Sequence, residues 1–228
     1  MENNTRDKRA RVIAIVSLLV GVLGLSMGFA AFSSTLTIKS SAEVVVDSSV
    51  FNVDFSKSSD SVVDDDIVPV LDPSDEPGFT ATNAVIDNDN GDAVIKNLHA
   101  VFTKPGQKAT YNFYTKNAGD LNAFLKSVTF SNVSGESVTK KCTAKSGTTQ
   151  SLVNSACTGI SLTVTVGSET FTQTTLRNAF ANPTAHDLSK NVAESVKVTI
   201  SYVAGSDQAD GDFDVAFGDV TLLYSSVV

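Results

Sequence analysis

Few side chains in this sequence are of types that catalyse reactions, and their spacing limits what they can do. The two histidines, His99 and His186, stand alone, and neither belongs to an HExxH pattern, which would place a zinc ion and a general base on one helix. Residues 24–28 (GLSMG) match the GxSxG pattern of hydrolases. They lie inside an apolar run, however, and lack the strand, turn and helix that hold such a serine. We therefore predict no catalytic residue, cofactor or metal centre, and structural roles for both histidines.

An acidic segment has some of the character of a calcium loop. In residues 87–92 (DNDNGD) the glycine is fifth, and the twelfth residue of the segment is Leu98. An EF-hand loop requires Gly at its sixth position and Glu at its twelfth. Asn-Gly between two strands forms a tight turn by itself, so a turn is predicted here. Calcium binding stays open, both here and at the acidic run 64–66.

Two cysteines, Cys142 and Cys157, follow the apolar run. An even pair in an exported chain predicts one disulfide, which would stabilise the fold by about 3 kcal/mol in the chain-entropy estimate. The bridge would close a loop of mostly small polar residues, TAKSGTTQSLVNSA. Two free buried thiols are the alternative. Because there is no CxxC pair, neither a zinc knuckle nor a thioredoxin-type site is indicated.

The chain begins with a basic segment and then an apolar one. Four basic residues lie within the first eleven positions, residues 12–25 (VIAIVSLLVGVLGL) follow, and no charge occurs before Lys39. This order predicts an export helix that acts as a secretory signal, with the export machinery and signal peptidase as partners. Small residues place the cleavage between Ala30 and Ala31. The alternative is that residues 1–30 stay as a membrane anchor, because residues 12–32 are long enough to cross a bilayer core of about 30 Å.

A long strand is predicted directly after the cleavage site. Over residues 31–46 the even positions are mainly apolar and the odd positions mainly polar, which is the period of a strand with one buried face. At about 3.3 Å per residue this strand would reach roughly 50 Å, whereas strands usually run about 17–20 Å. Part of it must therefore bend or leave its own domain. Its apolar positions are Phe32, Leu36, Ile38, Ala42, Val44 and Val46.

The remaining chain, residues 47–228, is predicted to form one β-sandwich domain. Hydrophobic residues make up 42% of the sequence and charged residues 18%, which is a globular composition. Short β-rich runs follow one another between turn signals, so we predict an all-β, jelly-roll-like antiparallel β-sandwich preceded by the export helix. Alternation is clearest at 111–116, 196–202 and 212–217, and one short helix is predicted over 174–180.

The charge distribution excludes one class of partner. Residues 1–30 contain four basic and two acidic residues, so the rest of the chain carries −10, against −8 for the whole. Nucleic-acid affinity comes largely from Lys and Arg on phosphates, so no nucleic-acid partner is expected. Such a charge favours solubility outside the cell and repulsion between subunits, which salt screens.

Several short motifs occur in a fixed order along the chain. They are Gly28-Phe29-Ala30-Ala31-Phe32, the alternating strand, Lys104-Pro105-Gly106 before Tyr111-Asn112-Phe113, and Asn117-Ala118-Gly119 before an Ala-Phe-Leu strand. This order resembles the TasA/camelysin family of secreted bacterial biofilm-matrix proteins. The resemblance implies cleavage just before the Ala-Phe start and a jelly-roll domain. It also implies that the freed N-terminal segment is the donor strand of a fibre, a role that passes to Ala31, Phe32, Leu36 and Ile38.

The sequence therefore predicts a secreted structural subunit of an extracellular fibre or cell surface. Its copies would associate by strand donation, in which main-chain groups of one subunit complete the sheet of the next. Because such a head-to-tail contact need not close on itself, it generates filaments. An accessory or anchoring protein is a further expected partner. The alternative is a membrane-anchored adhesin or binding module that does not polymerise.

Overall fold

The computed structural model describes residues 50–58, 66–89, 92–172 and 187–226. The predicted signal segment with Ala30 and Ala31 lies outside these ranges, as do the predicted strand over 31–46 and His186. So does the short helix predicted over 174–180. Within the described ranges, no helix combines the length and the apolar character needed to cross a membrane.

The described ranges contain sixteen strands and one helix. Their bounds are β1 Val53–Ser56, β2 Asp66–Ile67, β3 Val70–Asp72, β4 Thr80–Ala81, β5 Ala84–Asp89, β6 Asp92–Lys96, β7 His99–Phe102, β8 Lys108–Asn117, β9 Ala123–Phe130, β10 Lys140–Ala144, α1 Gln150–Cys157, β11 Ile160–Val166, β12 Glu169–Thr172, β13 Asp187–Leu188, β14 Ala193–Tyr202, β15 Phe213–Phe217 and β16 Val220–Ser225.

The strands form three sheets. Sheet I has the order β1-β8-β14-β11-β12, and β3 also pairs with β8. Sheet II has the order β13-β9-β16-β6-β5-β2, and sheet III the order β10-β15-β7-β4. The pairings between these strands are antiparallel.

Sheet I packs against both other sheets. The ring centroid of Phe102 in sheet III lies 5.8 Å from that of Tyr202 in sheet I, in an edge-on contact. Phe55 of sheet I and Tyr224 of sheet II lie 6.0 Å apart, and the Tyr224 hydroxyl shares a 3.2 Å hydrogen bond with the Thr115 hydroxyl. One hydrophobic core therefore joins the three sheets in a sandwich-like, all-β arrangement.

The alternation predicted for three of the strands is confirmed. Over residues 111–116 of β8, 196–202 of β14 and 213–217 of β15 each second side chain is buried, while the residues between them are exposed or half-buried. This follows from strand geometry, since successive side chains point to opposite faces of a sheet. The buried set faces the core and consists of Tyr111, Phe113, Thr115, Val196, Val198, Ile200, Tyr202, Phe213, Val215 and Phe217.

Two runs that look continuous in the sequence are each divided into two strands. β6 ends before Asn97, which has a φ of 63°, and β7 begins at His99; β15 and β16 are separated by Gly218 and Asp219. The divisions lie side by side, since the N–H of Phe217 donates to Leu98 O at 2.9 Å. Asn tolerates the left-handed region, and an added Cβ at Gly218 would lie 2.1 Å from Ser131 O. These local requirements separate sheet II from sheet III.

Candidate assembly site

The main candidate site lies where the chain enters the sandwich, directly after the predicted donor strand. We call it the junction, and it comprises residues 50–52, 117–121 and 188–192. The Val50 carbonyl accepts hydrogen bonds from the N–H groups of Asp120 and Leu121, both at 2.9 Å. The Asn52 carbonyl accepts from Ala118 at 2.9 Å and from Gly119 at 3.1 Å. Four main-chain hydrogen bonds therefore hold the incoming chain before β1 begins.

Asn117 connects two parts of the junction, residues 117–121 and 188–192. Its side chain is fully buried, and its Nδ2 donates to Leu121 O and to Leu188 O, each at 2.7 Å. Its Oδ1 accepts from the Gly119 N–H at 3.0 Å. Its backbone also contributes, because its N–H donates to Val192 O at 3.1 Å and its carbonyl accepts from the Asn191 N–H at 2.8 Å. A buried amide with both ends satisfied fixes the geometry of the segments around it.

Gly119 allows the incoming chain to approach closely. A Cβ at this position would lie 2.5 Å from the Asn52 nitrogen and 2.9 Å from Phe51 Cα. Both neighbours are backbone atoms, so only a residue without a side chain fits here. The Asn117-Ala118-Gly119 motif is thus explained by two requirements, a buried amide and a backbone contact.

The junction also exposes apolar side chains. Val50, Leu121 and Val192 are 36%, 44% and 45% exposed. We call these three side chains the apolar patch, and Val50 follows the last residue of the predicted donor strand, Val46, by four positions. Beside it, Lys190 forms an ion pair with Asp120 that joins two of the junction's segments.

A second candidate region surrounds the cysteine pair. Cys142 and Cys157 form a disulfide with Cα atoms 6.1 Å apart, within the usual range of about 4.4–6.8 Å, which confirms the predicted pairing. The bridge joins β10 to the last residue of α1, a helix that the sequence did not predict within this loop. At this end of α1, Lys140 Nζ donates to Cys157 O and Ile160 O, both at 2.6 Å. Burial lowers the pKa of Lys140.

Among the described residues, the other side chains considered from the sequence do not assemble into a site. His99 Nε2 lies 3.4 Å from Asp214 Oδ1 across β7 and β15, and both side chains are about one-third exposed.

In the calcium-like segment, the Asp87 carboxylate accepts a hydrogen bond from Lys96 Nζ at 2.7 Å, and this interaction raises the pKa of Lys96. The register of β5 and β6 continues to Asp89 opposite Asp92, while the predicted turn at Asn90-Gly91 lies outside the described residues. Over the described part of the chain, no three His, Cys, Asp or Glu side chains gather to hold a metal ion.

Comparisons of this chain with family models, with curated proteins and with solved structures found no match. The resemblance to the TasA/camelysin family therefore stays a prediction that depends on the short motifs alone.

The sequence indicated only part of the junction. The Asn117-Ala118-Gly119 motif is visible in the sequence, but it does not predict the burial of Asn117 or its hydrogen bonds to residues 188 and 192. The available signal was the motif's position, directly after the strongest alternating strand and before the next one. The predicted self-association residues Phe32, Leu36, Ile38, Ala42 and Val44 lie outside the described residues, so their role stays a prediction.

Proposed function

We propose that this protein is an extracellular structural subunit that polymerises into fibres by donating its N-terminal strand to the next copy. The main support for this proposal is the junction, which holds the chain at Val50 and Asn52 by main-chain hydrogen bonds. These residues follow an alternating segment that is too long for an ordinary strand. A firm attachment at this point would transmit tension from a donated strand into sheet I. The apolar patch formed by Val50, Leu121 and Val192 would add buried surface where the subunits meet, at about 25 cal/mol per Å².

An edge of sheet I also supports the proposal. β3 pairs with β8 at the edge of this sheet, and Val70 on β3 is 59% exposed, while the neighbouring Val68 is 62% exposed. Apolar residues exposed at a strand edge are typical of surfaces that pair with another chain. We therefore place the acceptor of the donated strand at β3.

We also propose that the sandwich is jelly-roll-like. This description is supported by the path of the chain, which leaves sheet I for sheet II or III after β1, β3, β8, β12 and β14 and returns to it at β3, β8, β11 and β14. Secretion is likewise proposed, and the disulfide is compatible with an oxidising environment outside the cell.

The experiment is negative-stain electron microscopy of the purified protein beginning at Ala31, together with one double variant and its control. Leu36→Asp and Ile38→Asp place a charge on the apolar face of the predicted donor strand, and the double variant should form no filaments while remaining soluble. The double variant Thr35→Asp and Thr37→Asp is the matched control, because it adds the same two charges to the polar face of the same strand, and its filaments should persist.

Filaments of the double variant at the wild-type level would exclude strand donation. Monodisperse wild-type particles under all conditions would instead favour the alternative of a surface adhesin or binding module. In that case full-length protein should be found in the membrane fraction.

A further inference from the structure

The outward face of sheet I has an unusual charge for this protein. The chain contains 25 acidic residues and 17 basic ones, yet the residues that point outward from β8, β14, β11 and β12 include no carboxylate. Three of them are lysines. The outward residues are Lys108, Thr110, Asn112, Tyr114, Lys116, Ser161, Thr163, Thr165, Thr170, Thr172, Ala193, Ser195, Lys197, Thr199 and Ser201. The edge strands β1 and β3 add Asp54 and Asp72 to this face.

The hydroxyl groups on this face form rows across the strands. In the row that crosses all four strands, Thr172 is opposite Thr163, Thr163 is opposite Thr199, and Thr199 is opposite Thr110. Neighbouring hydroxyls also bond to one another. The oxygen distances are 2.8 Å for Ser161 and Ser201, 3.0 Å for Thr165 and Thr170, and 3.5 Å for Thr110 and Thr199. Since a hydroxyl has one donor and two acceptor positions, each keeps capacity to bind an external group.

Lys197 is the cation of this face with no acidic residue opposite it. Lys108 and Lys116 face Asp72 and Asp54 on the edge strands. The cross-strand neighbours of Lys197 are Asn112 and Thr165, and its ammonium group has no ion-pair partner among the described residues. The side chain is exposed, so its charge is available to an external anion.

A shallow cavity of about 240 Å³ lies beside Lys197, and its lining includes Asn112, Tyr114, Thr165 and Ser195. Pockets that enclose drug-sized ligands measure about 300–1,000 Å³, so this one suits a single small unit of a longer chain. The lining supplies an aromatic ring, an amide, two hydroxyls and one cation. This combination matches an acidic sugar, because the ring can pack on the apolar face of the sugar, while the polar groups bind its hydroxyls and its carboxylate.

We propose that the outward face of sheet I binds an acidic polysaccharide, with one carboxylate-bearing sugar in the cavity and Lys197 Nζ donating to its carboxylate. Adjacent sugars lie along the rows of Ser and Thr hydroxyls. These protein hydroxyls replace the water molecules that are hydrogen-bonded to the sugar hydroxyls in solution. Nucleic acid fits less well, because a phosphate backbone requires a denser set of Lys and Arg than three lysines on a chain of net charge −8. This binding goes beyond fibre formation and does not depend on it.

The test is affinity electrophoresis of the full-length protein through native gels that contain alginate, a polyuronate. Alginate should retard the protein, and neutral dextran should retard it much less. Lys197→Gln should weaken the affinity for alginate at least about tenfold, the loss expected for a charge-assisted hydrogen bond, and Lys197→Arg should restore most of it. Tyr114→Ala should weaken binding to a similar degree. Lys126→Gln is the matched control, because Lys126 lies on β9 of sheet II, and it should bind like the wild type.

Four results would overturn the proposal: no retardation by alginate, equal retardation by dextran, wild-type affinity of Lys197→Gln, or equal losses in Lys197→Gln and Lys126→Gln. The last result would indicate that only net charge matters. Stronger retention by double-stranded DNA than by alginate would assign the face to nucleic acid instead.

Circular dichroism of each variant ensures that a loss of binding is not a loss of folding. Filament formation by Lys197→Gln should be unchanged, which separates this proposal from strand donation.

Discussion

At the N-terminal end of α1, the N–H and the hydroxyl of Thr149 both donate to the Asp210 carboxylate, at 2.9 Å and 2.6 Å. At the other end, Lys140 Nζ donates to the carbonyls of Cys157 and Ile160. The helix has no acidic residue in its first turn and no basic residue in its last turn. An anion at the N-terminus and a cation at the C-terminus both stabilise a helix, and here both come from elsewhere in the chain. Asp210 and Lys140 thus supply the charges that the first and last turns of this short helix lack.

The Asp210 contact predicts a pH dependence. The hydrogen bonds from Thr149 hold the pKa of Asp210 below its usual value. The folded state therefore binds fewer protons than the unfolded state near that value. The stabilisation is fully present above about pH 4 and is lost as the pH falls through the lower pKa of the folded state. In denaturant titrations from pH 7 to pH 2, Asp210→Asn should be less stable than the wild type at neutral pH, and the difference should shrink at acid pH.

The control for this experiment is Asp75→Asn, because Asp75 is exposed and has no side-chain hydrogen bond in the described structure. Its stability difference from the wild type should be small at every pH. A difference for Asp210→Asn that stays constant down to pH 2 would show that the carboxylate charge is not what stabilises α1.

At the scale of elements, the junction holds together three segments that are far apart in sequence. The first leads into β1, the second joins β8 to β9, and the third joins β13 to β14. The Asn117 side chain reaches two of these segments, and its partner Leu188 lies 71 positions away. The position of the second segment, to which the chain at Val50 and Asn52 is hydrogen-bonded, therefore depends on one buried amide.

Asn117→Ala tests this dependence. The substitution removes a donor from two carbonyls and leaves a buried space, so the free energy of unfolding should fall by about 2–4 kcal/mol in urea titrations. The matched control is Asn122→Ala, an exposed amide close by, which should change stability by less than about 0.5 kcal/mol. Limited proteolysis should also cut the Asn117→Ala variant near residue 50 more quickly. Equal stabilities of the two variants would mean that the amide does not hold the junction.

At the scale of the whole molecule, charge opposes association. The chain carries −8 in total and −10 beyond residue 30, so subunits repel one another at low ionic strength. The screening length falls from about 10 Å at 0.1 M salt to about 3 Å at 1 M. The apolar burial proposed for strand donation is not weakened in the same way.

Raising NaCl from 10 mM to 1 M should therefore increase the yield of filaments from the protein beginning at Ala31, measured by light scattering and negative-stain microscopy. The Leu36→Asp and Ile38→Asp double variant should form none at any salt concentration. A yield that falls with salt would indicate that ion pairs, and not apolar contacts, hold the fibre together. Binding to alginate should show the opposite trend, because salt weakens the attraction of Lys197 for a carboxylate.

Much of the fold was determined by the sequence alone, because the features concerned are local. The alternation in β8, β14 and β15 is visible in the sequence, since the side-chain period of a strand is set by its own backbone. The disulfide was also predictable, because the two cysteines are the only pair in the chain.

The tertiary structure decided the features that depend on distant partners. α1 could not be predicted from its own residues, because its N-terminal end is held by Asp210, 61 positions from Thr149, and its last residue by the disulfide. The divisions at Asn97 and Gly218 depend on which strands lie side by side. The burial of Asn117 depends on Leu188, and the absence of outward carboxylates from β8, β14, β11 and β12 depends on the registers of these four strands. Sequence patterns determine which side of a strand is apolar, whereas contacts between remote segments determine what each polar side chain meets.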